Sequence, residues 1–137
     1  MKRRNLLIAV ILLGAAVIFY RAFGTPDQLA TGAAMVNVTV PELSETANEG
    51  EAAFNRLCAS CHGRNAAGQD GVAPPLIHKI YEPGHHGDAS FLLAARNGVR
   101  AHHWPFGNMP PVEGITDPEI AEIVVYVREL QRANGIY

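Results

Sequence analysis

The stretch Cys58-Ala59-Ser60-Cys61-His62 decides how the rest of this sequence is interpreted. Its two thiols are three residues apart, so near the end of a helix each can add to one of the two vinyl groups of a haem. The next residue, His62, then faces the iron, and its imidazole can ligate it. The pattern predicts one covalent c-type haem, attached through Cys58 and Cys61 and ligated by His62.

Other kinds of site use the same residue types. A thioredoxin-like redox pair needs the cysteines in a βαβ setting, and no strand pattern precedes Cys58. A zinc site would combine the cysteines with later histidines, whose spacing matches no familiar zinc pattern. A disulfide between Cys58 and Cys61 would close a very short loop and stabilise little of the fold. Haem attachment fits the sequence best, with the redox pair and the zinc site as alternatives.

Three helices and no run of strands are expected, which makes the fold class all-α. The helices cover about residues 46–59, which lead into the cysteines, residues 88–97 and residues 117–133. Thr116 and Glu119 form a capping-box pattern at the start of the third helix. An apolar stripe at helical spacing then runs along it: Ile120, Ile123, Val124, Val127 and Leu130.

The amino-terminal residues differ from the rest of the chain. Basic residues at positions 2–4 precede an uncharged apolar run over residues 6–20. The length of this run is intermediate between the apolar region of a signal peptide and a membrane-spanning helix. In either case, the basic end is expected to stay in the cytoplasm. We expect residues 1–23 to be a single transmembrane anchor, with a cleaved signal peptide as the alternative. The localisation expected is the bacterial inner membrane, with the remaining chain on the periplasmic side.

The chain after this segment divides into two parts. Residues 24–44 are predicted to be a flexible linker, and residues 45–137 the structured domain. From residue 22 onward, seven Lys or Arg stand against thirteen Asp or Glu, a formal charge of −6. An acidic exported domain is a poor partner for nucleic acid or for an anionic membrane surface.

Electron transfer through a haem favours a sixth iron ligand. Of the three methionines, Met1 is the initiator and Met35 lies in the predicted linker. Met109 lies in a loop before the last helix, and the two prolines that follow it stiffen the backbone. Its thioether would raise the reduction potential relative to a second imidazole. Met109 is therefore the predicted distal ligand, and His102 and His103 are its rivals.

These features together resemble class I cytochrome c over residues 45–137. The family has a Gly and a Phe eight and four residues before the first haem cysteine, here Gly50 and Phe54, and an aromatic in the last helix, here Tyr126. Gly107-Asn108-Met109-Pro110 is similar to its distal-ligand loop. Pro74-Pro75-Leu76 matches the Pro-x-Leu whose proline carbonyl accepts the axial histidine N–H. The resemblance implies a small helical shell around one haem.

The function that the resemblance implies is electron transfer rather than enzymatic catalysis. With His62 and Met109 on the iron, no open position is left for a small-molecule substrate. The expected partners are membrane redox complexes of a respiratory chain, a quinol-oxidising donor and a terminal oxidase or similar acceptor. The alternatives are a haem enzyme or sensor that acts on peroxide or a gas, and a metal-handling cytochrome.

The metal-handling alternative depends on histidines that the family pattern does not require. They crowd the two long loops: His78, His85, His86, His102 and His103. Loop histidines are commonly hydrogen-bonded or solvated. The other interpretations are a second metal site, for instance for copper, or a pH-tuned haem pocket.

Overall fold

The computed structural model describes residues 12–15 and 32–137 of the chain. Residues 12–15 are helical, and the remainder of the predicted anchor at residues 1–23 lies outside the described residues. Within the described ranges, no helix combines the length and the apolar character needed to cross a membrane.

Helices provide the regular structure of residues 32–137. In chain order the elements are α1 (Glu45–Leu57), α2 (Ala59–His62), 3₁₀ turns at Arg64–Ala66 and Lys79–Tyr81, α3 (Asp88–Asn97) and α4 (Asp117–Ala133). No strand occurs in this part of the chain, so the all-α expectation is confirmed there. The first predicted helix is divided at Cys58, whose φ of −119° ends α1, and the short α2 carries the rest of the cysteine motif.

The ends of the two later helices follow from local chemistry. Thr116 and Glu119 form the predicted capping box, each side chain bonding the other residue's backbone N–H at the start of α4. At α3 the N-cap is Gly87, which offers no side-chain oxygen. Gly98 ends α3 with a φ of +73°, a conformation that glycine adopts without strain.

The core lies where α1 crosses α4. The rings of Phe54 and Tyr126 are fully buried, with centroids 5.6 Å apart at a tilt of 54°. Gly50 lies at the crossing, directly against the backbone carbonyl of Glu122, and has no room for a Cβ. The glycine therefore sets how closely the two helices approach, and α1 leads directly from this crossing to the cysteine motif.

The chain before α1 is packed onto the domain from residue 32 onward. Met35 and Val36 donate backbone N–H groups to the Ala67 carbonyl at 3.1 and 3.2 Å. The Asn134 side chain bonds both the N–H and the carbonyl of Thr39, at 2.9 and 2.8 Å. Three apolar side chains of the segment pack on the core: Val36, Val38 and Leu43. The predicted linker at residues 24–44 is therefore too long, because its second half is attached to the domain.

Candidate functional site

A cavity of about 540 Å³ lies between the cysteine motif, α3 and the loop that precedes α4. Cys58, Cys61 and His62 line one part of it, and Met109 lines another. Its surface is mostly apolar, with contributions from Phe54, Leu76, Phe91, Val99, Ile120 and Ile123, among others. The cavity thus brings all the predicted haem-binding side chains to one apolar space.

His62 is held in one orientation. Its Nδ1 donates a hydrogen bond to the Pro74 carbonyl oxygen at 2.9 Å, the contact that the resemblance implied. Burial lowers the pKa of His62 below its usual value, although the bond to Pro74 acts in the opposite direction. The imidazole is therefore neutral at pH 7, and its Nε2 is left as a metal-ligating atom.

The Cys58 thiol is poorly suited to thiol–disulfide chemistry. Burial, followed by the neighbouring Cys61, raises the pKa of Cys58 to about 12, while Arg56 opposes the shift. A redox-active first cysteine needs a lowered pKa, so the thioredoxin-like alternative loses support. The zinc alternative also loses support. Among residues 12–15 and 32–137, the side chains that converge as potential metal ligands are histidines, and neither cysteine is among them.

The backbone of Met109 is fixed against the end of α3. Met109 and Val99 exchange two hydrogen bonds, at 3.0 and 2.9 Å. One residue before it, the Asn108 side chain accepts the Ala101 N–H at 2.9 Å. The Met109 carbonyl lies so close to Gly98 that a Cβ at position 98 would collide with it, so this position requires a glycine. The loop thus presents Met109 to the cavity from a constrained backbone.

A buried polar network that the sequence reasoning missed holds the loop between the second 3₁₀ turn and α3. Arg128 of α4 is 7% exposed and bonds Asp88 Oδ1 at 2.8 Å. It also donates to the backbone carbonyls of Tyr81 and His86. Gln131 donates to the Tyr81 carbonyl as well, at 3.0 Å. Arg128 and Gln131 follow the buried Val124 by four and seven residues, and residues at this spacing share one face of a helix. The spacing therefore places both polar side chains on the buried side of α4.

The five loop histidines take different positions. His78 packs edge-on against Trp104, with ring centroids 5.2 Å apart. His102 directs its Nδ1 to the Arg100 carbonyl at 2.8 Å. The other three converge, with one ligating atom from each of His85, His86 and His103 within 4.8 Å of the others.

The residues around the cavity fit a covalent haem. The donor set comprises two thiols at the attachment spacing, a neutral imidazole and a thioether, which are the groups that hold haem in c-type cytochromes. Trp104 also lines the cavity, and its buried Nε1 has no hydrogen-bond partner within the described chain. A bound group with an acceptor at its edge would satisfy it.

Comparison with known protein families identifies the class of domain. The family model described as Cytochrome c matches residues 47–131, which is more than half of the chain. The matched region runs from α1 through most of α4 and includes the cysteine motif, Pro74 and Met109. No curated protein and no solved structure matches the chain.

Proposed function

Because this chain belongs to the cytochrome c family, whose members carry a covalent haem c, we propose that it is a one-electron carrier whose haem iron would be held by His62 and Met109. The observation that carries the proposal is that a neutral, oriented imidazole and a backbone-constrained methionine line the same cavity. The haem supplies reversible one-electron chemistry at its iron.

The protein residues have separate roles in this proposal. Cys58 and Cys61 fix the porphyrin, and the Pro74 carbonyl orients His62 and raises the basicity of its ligating nitrogen. The apolar lining excludes water and lowers the local dielectric constant. With both residues bound, the iron would have no position for a substrate, and the protein would transfer electrons rather than catalyse a reaction.

The visible spectrum of the purified protein tests the carrier proposal. We expect a low-spin spectrum in the reduced form and a methionine–iron charge-transfer band in the oxidised form, because both axial positions are filled. Carbon monoxide and peroxide should leave the spectrum unchanged. A high-spin ferric spectrum that responds to either reagent would show an open position and support a haem enzyme or gas sensor instead.

We also propose that the carrier works at the periplasmic face of the inner membrane, between a quinol-oxidising complex and a terminal oxidase or similar acceptor. The basic and apolar pattern of residues 1–23 supports the anchor. With residues 32–43 packed on the domain, residues 24–31 alone can reach at most about 28 Å. The partners therefore lie close to the anchor, and the charge of −6 favours basic docking surfaces on them.

Fractionation of cells tests the anchor. The full-length protein should stay with membranes through salt and alkaline washes, because an apolar spanning segment is not extracted by either. A matched control that starts at residue 24 behind a cleavable export signal should appear in the soluble periplasmic fraction. Recovery of a shortened protein in the soluble periplasmic fraction, after expression of the full-length sequence, would contradict the anchor and indicate a cleaved signal peptide.

A further inference from the structure

Three histidines from two separate loops meet at the rim of the haem cavity. His85 and His86 precede α3, and His103 lies in the loop before α4. One ligating nitrogen of each lies within 4.8 Å of the others. We propose that these three residues bind one borderline divalent transition-metal ion, such as Zn²⁺ or Cu²⁺. This metal site is a function additional to electron transfer by the haem, and the proposal does not depend on the proposed electron-carrier role.

The spacing of the nitrogens is close to what such an ion requires. Metal–nitrogen bonds of 2.0–2.1 Å in a tetrahedron place the ligating atoms about 3.3 Å apart. The three side chains must therefore close by about 1.5 Å at most, a distance that χ rotations cover. His85 and His103 are exposed and free to make this adjustment. The ring centroids are already 4.7 to 5.4 Å apart.

His86 is the fixed member of the set. Its Nδ1 donates to the Ile80 carbonyl at 2.6 Å, which leaves Nε2 as the ligating atom. Its backbone carbonyl accepts a hydrogen bond from the buried Arg128. A metal-bound histidine usually donates a hydrogen bond from its other ring nitrogen to a carbonyl or carboxylate oxygen. This bond fixes both the tautomer and the ring orientation.

The ligand chemistry selects the class of ion. Three imidazoles suit Zn²⁺, Cu²⁺ or Ni²⁺, whereas Mg²⁺ and Ca²⁺ prefer oxygen ligands, which this cluster does not supply. A water molecule would complete the coordination. His102 is excluded from the set, although its ring centroid is only 4.3 Å from that of His103. It therefore offers a matched control on the same loop.

Zinc binding to the haem-loaded, chelator-stripped full-length protein tests the proposal. Zn²⁺ is the probe because it has no redox chemistry of its own and leaves the haem oxidation state unchanged. Calorimetry should show one Zn²⁺ per chain. His103→Gln and His85→Gln should each lower the association constant on the order of 100-fold, since losing even a supporting partner costs about 10–100-fold. His102→Gln should bind as the unaltered protein does.

A second measurement reports on the location of the site. His86 and His103 also line the haem cavity, so a bound dication there stabilises the reduced haem by charge. Saturating Zn²⁺ should raise the haem reduction potential of the unaltered protein and leave that of His103→Gln unchanged. Binding that is equally strong in His103→Gln would overturn the proposal. So would a loss in His102→Gln as large as that in His103→Gln, because an exposed histidine pair would then be the site.

Discussion

Met109→Ala is expected to abolish the methionine–iron charge-transfer band of the oxidised protein. The reduction potential should fall on the order of 0.2 V, within the span of about 0.8 V that axial ligands set, because a thioether stabilises the ferrous iron more than water or imidazole does. The fold should persist, since Met109 is tied to Val99 through backbone groups that alanine retains. Absorption spectra and a redox titration measure both effects.

Met35→Ala is the matched control for this variant. Met35 is the other methionine of the domain described by the structure, and its sulfur lies close to Gly68 and does not line the cavity. Its substitution should leave the band and the potential unchanged. If the band survives in Met109→Ala and is lost in Met35→Ala, the distal-ligand assignment is wrong and Met35 binds the iron. If the unaltered protein shows no such band, the assignment is also wrong, and His102 and His103 are the next candidates.

The parts of this fold that could be predicted from the sequence are those set by short spacings. The capping box at Thr116 and Glu119 involves residues within one turn, and α4 begins where this pattern places it. Gly50 and Phe54 share one face of α1, and both meet α4. Phe54 packs against Tyr126, the aromatic that the family pattern indicates, and Gly50 lies against the backbone of α4. The match to the Cytochrome c family supports the same interpretation of the cysteine motif.

Other features depend on contacts between distant parts of the chain. Gln69 and Ala67 secure the segment before α1, but neither carries a local signal that a linker will pack there. Arg128 looks like a solvated charge until the carbonyls of Tyr81 and His86 are brought to it by folding. The convergence of histidines likewise depends on how two loops pack, and loop conformation is the least predictable consequence of sequence.

Gly50→Ala is expected to destabilise the protein, although alanine is the better helix former. Intrinsic propensity favours alanine by about 1 kcal/mol in a helix interior. The new methyl group would lie inside van der Waals contact of the Glu122 carbonyl, a backbone atom that cannot rotate away. The helices must then separate, and overpacking of this kind costs about 1–3 kcal/mol, or occasionally more. Because the clash is with rigid backbone, we expect a cost at the upper end of this range, about 3 kcal/mol. After the gain of about 1 kcal/mol in helix propensity, the net loss is about 2 kcal/mol.

Urea unfolding followed by circular dichroism measures this loss, with Gly84→Ala as the matched control. No neighbouring atom lies within 4 Å of the position that a methyl group on Gly84 would occupy, so its substitution removes the same backbone freedom without a clash. The control should be neutral or slightly stabilised.

Because α1 ends at the cysteine motif, a displaced α1 also moves Cys58 relative to Pro74 and should weaken the charge-transfer band. A Gly50→Ala variant as stable as the control would mean that α1 and α4 can part without loss, and that the crossing does not position the haem site.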